Sequence, residues 1–157
     1  MCVSSILELL LKVTEGLETD GRESFILDFC AGKGVIGNML KEQGFEHVYG
    51  QTGQSIKRNN LLRKGYTDVE TFIVGKQGVP KTFRRKFDFV TCAEGLGTGL
   101  MPARGFEDML STLKPGGFCI FTMSQKHLKD DSMFATGYAL AIKKLIDRNL
   151  WRPIIHR

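Results

Sequence analysis

Two glycines and an acid lie together in segment 26–34, which reads ILDFCAGKG. The acid is Asp28, and the glycines are Gly32 and Gly34. Glycine lets a ligand approach the backbone closely, and a helix that follows such a loop offers unpaired N–H groups. The apolar residues before Asp28 predict a strand, and those from Val35 onward predict a helix. A loop at this junction favours a nucleotide-like ligand, with a tight turn that binds nothing as the alternative.

A third glycine leaves two classes of ligand open. Gly37 completes a G-x-G-x-x-G spacing with Gly32 and Gly34, which is the spacing of dinucleotide sites. Such a site also favours an acid near the end of the second strand, where Thr52 stands here. The spacing of the glycines alone therefore does not identify the ligand.

The elements that position this loop alternate along the chain. Apolar residues recur at helical spacing in five segments and form short apolar runs in six others. Alternating strands and helices predict right-handed crossovers and a doubly wound, mostly parallel α/β sheet. The predicted helices are 3–13, 35–43, 55–64, 106–113 and 134–150, the predicted strands are 25–28, 47–51, 69–74, 87–93, 118–123 and 152–156, and 114–117 is a predicted turn.

Length and composition fit one domain. The chain has 157 residues, of which 42% are apolar and 25% charged, as in ordinary soluble proteins. We divide it into an N-terminal helix and connection (1–22), a ligand-binding core (23–128) and a C-terminal helix with an edge strand (129–157). Glu8 and Lys12 interrupt the apolar start, so neither a membrane span nor a secretory signal is expected. An intracellular, cytoplasmic location follows as the expectation.

Charge and thiols point to no further ligand. The net charge is +5, and basic residues form two groups, 57–64 and 81–86, which we interpret as a solvated helix face and a connecting loop, with a phosphate-binding patch as the alternative. A nucleic-acid partner is therefore not expected. No C-x-x-C pair occurs, so we predict reduced thiols and no metal site. The four cysteines are Cys2, Cys30, Cys92 and Cys119.

Three segments resemble the class I S-adenosylmethionine-dependent methyltransferases. Segment 27–34, LDFCAGKG, resembles their D-x-x-x-G-x-G loop, and 113–118, LKPGGF, resembles their turn before the fifth strand. Segment 87–90, FDFV, opens the fourth strand at matching spacing, and the resemblance covers about 24–128. Within that superfamily the chain is most similar to the methyltransferase-like proteins named for the Williams–Beuren chromosomal region. The resemblance implies S-adenosylmethionine as cofactor.

The resemblance also implies site residues. The glycine loop would face the methionine part of the cofactor, and Asp28 would brace the loop or meet the cofactor's amino group. The end of the fourth strand would border the sulfonium, with Glu94 as a candidate catalytic base. The implied cofactor-binding residues are Asp28, Cys30, Ala31, Gly32, Gly34, Thr52, Gly53, Gln77, Cys92 and Ala93.

Two positions depart from the family pattern. Thr52 stands where the family has the acid that holds the ribose, and Gln77 is the remaining polar candidate for the adenine amine. A hydroxyl accepts fewer and weaker hydrogen bonds than a carboxylate. Three functions therefore remain open: a methyltransferase with an unidentified substrate, a non-catalytic methyltransferase-like scaffold in a larger assembly, and a dinucleotide-dependent reductase.

The predicted sheet also departs from the family at its edge. The family closes its sheet with a seventh, antiparallel strand, and the sequence stops at about the sixth. A bare edge with Ile154 and Ile155 would expose apolar side chains beside unpaired backbone groups. We therefore expect a protein partner or a second copy of the chain at the C-terminal edge strand.

Overall fold

The computed structural model describes residues 3–17, 20–93, 95–96, 100–128 and 136–154. Among these residues no helix is long and apolar enough to cross a membrane. Strands and helices alternate along the chain as predicted. The strands are β1 (Phe25–Asp28), β2 (His47–Thr52), β3 (Val69–Thr71), β4 (Phe87–Cys92) and β5 (Leu113–Phe121), and the helices are α1 (Val3–Glu15), α2 (Val35–Glu42), α3 (Ser55–Arg63), α4 (Gly105–Thr112) and α5 (Tyr138–Asp147).

The five described strands form one parallel sheet in the order β3-β2-β1-β4-β5. The doubly wound, parallel α/β fold predicted from the sequence is confirmed. The strand order reverses between β1 and β4, which are neighbours in the sheet although two other strands separate them along the chain. In open α/β sheets, ligands bind beyond the carboxyl ends of the strands at such a reversal. This topology therefore places the loop after β1 at the expected crevice.

Alternate strand residues enter two separate apolar clusters. Ile26 and Phe89 join residues of α1, α2 and α3 on one face of the sheet. Leu27 and Val90 join residues of α4 and α5 on the other face. Successive side chains of a strand point to opposite faces, so a sheet covered on both sides needs apolar residues at consecutive positions. The strand ends are thereby held rigidly from both sides.

The end of α4 and the start of β5 differ from the predicted boundaries. The strand begins at Leu113, which pairs with Phe87, and the predicted turn 114–117 lies between that pair and the next pair, Phe89 with Phe118. Four residues of β5, 114–117, thus lie opposite the single residue Asp88 of β4, an irregularity that Gly116 accommodates with a φ of 80°. The turn-forming residues were recognised, but pairing with β4 decided that the chain stays in the sheet around them.

The C-terminal prediction was wrong in its described part. Residues 151–154 form no strand, and residues 155–157 lie outside the described residues. The last described helix, α5, begins at Tyr138, because Gly137 precedes it in a left-handed conformation. In the described part of the sheet β3 and β5 are the two edges, so the structure gives no support, among the described residues, to a partner that pairs with a strand at 152–156. Partner contact or self-association stays a prediction.

Helix α2 lies unusually close to Tyr66, a buried residue that follows α3. A methyl group placed on Gly37 would lie 2.1 Å from Tyr66 Cζ, so this position in α2 has no room for a side chain. The Gly37 N–H also donates a hydrogen bond of 3.2 Å to the Tyr66 hydroxyl. The third glycine of the spacing is therefore explained by packing of α2 against Tyr66.

We expect Gly37→Ala to destabilise the protein, because the added methyl group must displace either the Tyr66 ring or α2. Overpacking of this kind costs about 1–3 kcal/mol in the free energy of unfolding. Urea denaturation followed by circular dichroism measures it. Asn38→Ala, at the exposed neighbouring position of the same helix, is the matched control and should change the free energy little. Equal stability of the parent and Gly37→Ala would contradict the close approach.

Candidate functional site

The loop between β1 and α2, residues 29–34, bends sharply at three positions. Cys30 and Gly32 both have a φ of 56°, and Gly34 has a φ of 81°. Such left-handed conformations are easy for glycine and uncommon for other residues. A methyl group on Gly34 would also lie 3.0 Å from Leu61 Cδ2, so this glycine serves close packing against α3. The β1–α2 loop therefore needs its glycines for its own path.

Backbone hydrogen bonds fasten this loop to the neighbouring strands on both sides. The Phe29 N–H donates to the Thr91 carbonyl of β4 at 2.8 Å, and the Ala31 N–H donates to the Gln51 carbonyl of β2 at 2.9 Å. These bonds continue the ladders of the sheet beyond the end of β1. The β1–α2 loop is thus held between β2 and β4 at the point where the strand order reverses.

The side chain of Gln51 completes this attachment. It is 1% exposed, and its Oε1 accepts a hydrogen bond of 2.9 Å from the Cys30 N–H. Its Nε2 donates to the Phe72 carbonyl, also at 2.9 Å. Gln51 thereby links the β1–α2 loop to the segment after β3. Sequence reasoning missed this residue, although an amide near the end of a strand predicted to lie within the sheet was the available signal, since buried amides are usually hydrogen-bonded.

Asp28 is a buried brace. It is 2% exposed, and its Oδ2 accepts a hydrogen bond of 2.6 Å from the Tyr66 hydroxyl. Burial, followed by the neighbouring Asp28 carboxylate, raises the pKa of Tyr66 well above its usual value, so the hydroxyl keeps its proton and donates it. This hydrogen bond joins the end of β1 to the segment after α3. A contact between Asp28 and an amino group of a ligand stays a prediction.

Thr52 closes β2 with a hydroxyl that is already engaged. The side chain is 4% exposed, and its Oγ1 accepts a hydrogen bond of 3.2 Å from the Gln54 N–H. A hydroxyl has two lone pairs and one proton, so one acceptor position and the donor remain for other partners. The adjacent Gly53 is more open, because a methyl group there would meet only Ile73 Cδ1, at 3.8 Å. The end of β2 therefore offers a neutral, weak acceptor beside free space.

Gln77 lies on the exposed loop after β3. Its Oε1 accepts a hydrogen bond of 2.6 Å from the Ile73 N–H, so the oxygen predicted to meet an adenine amine already serves the loop. A second lone pair of this oxygen remains. The contact between Gln77 and adenine stays a prediction.

The end of β4 supplies the other wall of the site. Cys92 is fully buried, and the half-buried Ala93 accepts a hydrogen bond of 3.3 Å from the Thr122 hydroxyl through its carbonyl. Glu94, the candidate base, lies outside the described residues. The structure thus brings the predicted residues at 28–34, 52–53, 77 and 92–93 to the carboxyl end of the sheet. Their contacts with a cofactor remain predictions.

A separate cavity lies near the amino ends of β1 and β4. Its volume is about 400 Å³, and its lining includes Asp20, Asp88 and Lys114. Asp88 already accepts a hydrogen bond from the Phe25 N–H and pairs with Lys114 at 3.4 Å. We therefore place the site at the opposite end of the sheet, where the strand order reverses.

Several members of the two basic groups make structural contacts. Arg58 donates to the Val69 carbonyl and pairs with Asp68 at 3.2 Å. Arg84 donates to the Val79 carbonyl, and the Lys86 ammonium lies 4.3 Å from the centre of the Tyr49 ring. These contacts agree with the structural interpretation of the basic groups. In the described residues no group of three His, Cys, Asp or Glu side chains could hold a metal ion.

The family is decided by a match along almost the whole chain. A family model described as a methyltransferase domain matches residues 5–152. The chain belongs to this methyltransferase domain family. None of the curated proteins matches the chain. The likeness to the Williams–Beuren-region proteins therefore stays a prediction, whereas the broader assignment to the class I S-adenosylmethionine-dependent methyltransferases is confirmed.

Solved structures support the same fold. An S-adenosylmethionine-dependent methyltransferase from Mesorhizobium loti is 22% identical, with a TM-score of 0.50 over 62% of this chain and 45% of its own. A TehB-like methyltransferase from Corynebacterium glutamicum is 18% identical, with a TM-score of 0.56 over 85% of this chain and 70% of its own. A Haloferax volcanii protein solved with a methyltransferase activator is 21% identical, with a TM-score of 0.52 over 74% of this chain and 50% of its own.

These similarities are informative about fold alone, because every identity is low. The chain spans about half the length of the Mesorhizobium and Haloferax structures. Their substrates and partners are therefore not transferred to this methyltransferase domain.

We expect Tyr66→Phe to destabilise this methyltransferase domain by about 1–3 kcal/mol, because the Gly37 N–H and Asp28 Oδ2 both lose a buried partner. Denaturant titration measures the difference. Tyr49→Phe is the matched control, because the Tyr49 ring packs edge-on against Phe83 and Phe87. If Tyr66→Phe and Tyr49→Phe lower the free energy of unfolding equally, the hydrogen bonds of the Tyr66 hydroxyl do not stabilise the domain as we expect.

Proposed function

We propose that this chain is an S-adenosylmethionine-dependent methyltransferase whose methyl acceptor is unidentified. The observation that carries the proposal is the β1–α2 loop at the reversal of strand order, in a chain of the methyltransferase domain family. Bound there, S-adenosylmethionine supplies an electrophilic methyl group on a sulfonium. The acceptor atom is nitrogen, oxygen or carbon.

The described residues fit the methionine part of this cofactor. Gly32 has no side chain at the turn of the β1–α2 loop. The N–H groups of Val35 and Ile36 at the start of α2 have no partners within the helix, whereas the Gly37 N–H already donates to Tyr66. Such N–H groups favour a carboxylate by hydrogen bonding and by the helix dipole. Asp28 and Gln51 hold the β1–α2 loop in place through their hydrogen bonds, so cofactor binding requires little further ordering of the loop.

The ribose part fits less well. Thr52 offers one remaining lone pair, whereas a carboxylate at this position offers charged acceptors to both ribose hydroxyls. The difference corresponds to about 1–3 kcal/mol, or roughly ten- to hundred-fold in affinity. We therefore expect weaker cofactor binding than in a domain that has the acid.

For methyl transfer, the protein must mainly align the two reactants and exclude water. Cys92 and Ala93 border the reacting region in the proposed arrangement, and the full burial of Cys92 gives this wall an apolar character. Glu94 is the proposed base where the acceptor atom carries a proton. Its carboxylate would take that proton as the new bond to the methyl carbon forms.

A non-catalytic, methyltransferase-like scaffold is the second candidate. Thr52 favours this candidate. Its neutral hydroxyl, already engaged by the Gln54 N–H, stands where the family has the acid that holds the ribose of the cofactor. In this alternative the fold is retained for partner binding, since a fold alone does not determine an activity. Measured cofactor affinity separates the two candidates.

Calorimetric titration with S-adenosylmethionine and S-adenosylhomocysteine tests the proposal. We expect dissociation constants on the order of micromolar, which correspond to about 8 kcal/mol of binding free energy. Gly53→Val should weaken binding at least roughly tenfold by filling space beside Ile73, without the strain of a positive φ. Gly16→Val, at a glycine far from the site, is the control. No heat of binding to the folded parent would refute the enzyme and support the scaffold.

Thr52→Asp should tighten cofactor binding, because an aspartate can accept the Gln54 N–H and still offer a charged oxygen to the ribose. The expected gain is roughly tenfold or more. Thr52→Asn is nearly isosteric with the aspartate and neutral, so it should gain little. Equal affinities for the two variants would show that charge at this position does not hold the ribose.

A further inference from the structure

Two thiols meet where the strand order reverses. Cys30 lies on the β1–α2 loop, and Cys92 is the last residue of β4. The strands β1 and β4 are direct neighbours, and the hydrogen bond from the Phe29 N–H to the Thr91 carbonyl joins them one residue before each cysteine. The two cysteines are therefore brought together by the sheet, although 61 positions of sequence lie between them.

Their sulfurs share one small volume. A methyl group on Gly95 would lie 2.9 Å from Cys92 Sγ and 3.0 Å from Cys30 Sγ. The hydrogen bond with the Cys30 thiol, followed by burial, raises the pKa of Cys92. Gly95 thus provides the room in which the two thiols are in contact. A disulfide requires two sulfurs that can approach to bonding distance, and the two thiols on either side of Gly95 are placed for that approach.

The two thiols differ in access. Cys92 is fully buried, whereas Cys30 is half-buried. A reagent in solution therefore reaches Cys30 first. The Cys30 N–H donates to Gln51 Oε1, which holds the Cys30 backbone in place next to the end of β4. This arrangement has an accessible attacking thiol next to a buried resolving thiol.

We propose that Cys30 and Cys92 form a reversible disulfide when the protein meets a small-molecule disulfide such as oxidised glutathione. The Cys30 thiolate attacks one sulfur of the small disulfide, forms a mixed disulfide and releases one small thiolate. Cys92 Sγ then attacks Cys30 Sγ and gives up its proton to the second small thiolate as that thiolate leaves. Two protein thiols are oxidised, one small disulfide is reduced, and the two released thiolates take up the two protons.

The disulfide would tie the β1–α2 loop covalently to β4. Its formation does not depend on the proposed function, but its consequence does. Because Cys30 and Cys92 both border the proposed cofactor site, the bond would displace side chains there and fix the loop. We expect the oxidised protein to bind S-adenosylhomocysteine about tenfold or more weakly than the reduced protein.

Mass spectrometry of the whole chain tests the disulfide directly. The reduced protein is incubated with oxidised glutathione, the remaining thiols are alkylated, and the protein is digested with trypsin. The cysteines fall in separate tryptic peptides, because Lys33 and Lys86 lie between Cys30 and Cys92 and Arg104 follows Cys92. We expect a linked peptide pair containing Cys30 and Cys92, which dithiothreitol separates. Glutathione on Cys30 alone, or links through Cys2 or Cys119, would overturn the proposal.

Variants and a binding measurement complete the test. Cys30→Ser should abolish the link, whereas Cys119→Ser should leave it, because Cys119 lies on β5 beside Met109. If Cys30→Ser still forms a link to Cys92, the assignment is wrong. Calorimetry then compares oxidised and reduced parent protein. A confirmed link with unchanged affinity would overturn the regulatory consequence, whereas an absence of binding in both states would refute the proposed function and leave the disulfide standing.

Discussion

The buried contact between Asp28 and Tyr66 is the constraint on which the site depends. A carboxylate that is 2% exposed must be hydrogen-bonded, because an unpartnered buried charge is strongly unfavourable. The Tyr66 hydroxyl provides that hydrogen bond and also receives one from the Gly37 N–H of α2. A single side chain after α3 therefore fixes the end of β1 and the position of α2 together. The β1–α2 loop has its path because both of its ends are fixed.

Gln51 plays the corresponding part on the other side of the loop. Its side chain joins the Cys30 N–H to the Phe72 carbonyl, so the loops after β1 and β3 are connected through the strand between them. A fully satisfied buried amide is geometrically demanding, since both its donor and its acceptor need partners. The floor of the site is consequently built from polar side chains that bind protein atoms. Any ligand must be held mainly by backbone groups and by the few polar atoms that remain.

This construction separates the two halves of the proposed cofactor site. The methionine end has the glycine turn of the β1–α2 loop and the first N–H groups of α2. The ribose end has Thr52, whose hydroxyl is partly used by its own turn. The same fold can thus support weak cofactor binding or a scaffold without any change in its core. The difference between those outcomes lies in a few polar atoms at the end of β2.

The sequence by itself determined the alternation of elements and the identity of the β1–α2 loop, because apolar periodicity and glycine placement are local properties. It also determined the family, which the match over residues 5–152 confirmed. The tertiary structure decided what local patterns do not contain: that Tyr66 meets Asp28, that Gln51 faces inward and that Cys30 lies beside Cys92. It also corrected the described part, 152–154, of the strand expected at 152–156, since an apolar residue such as Ile154 lies in a strand only where a neighbouring strand pairs with it. Contacts between distant segments depend on strand order and register, and these are set by packing of the whole sheet.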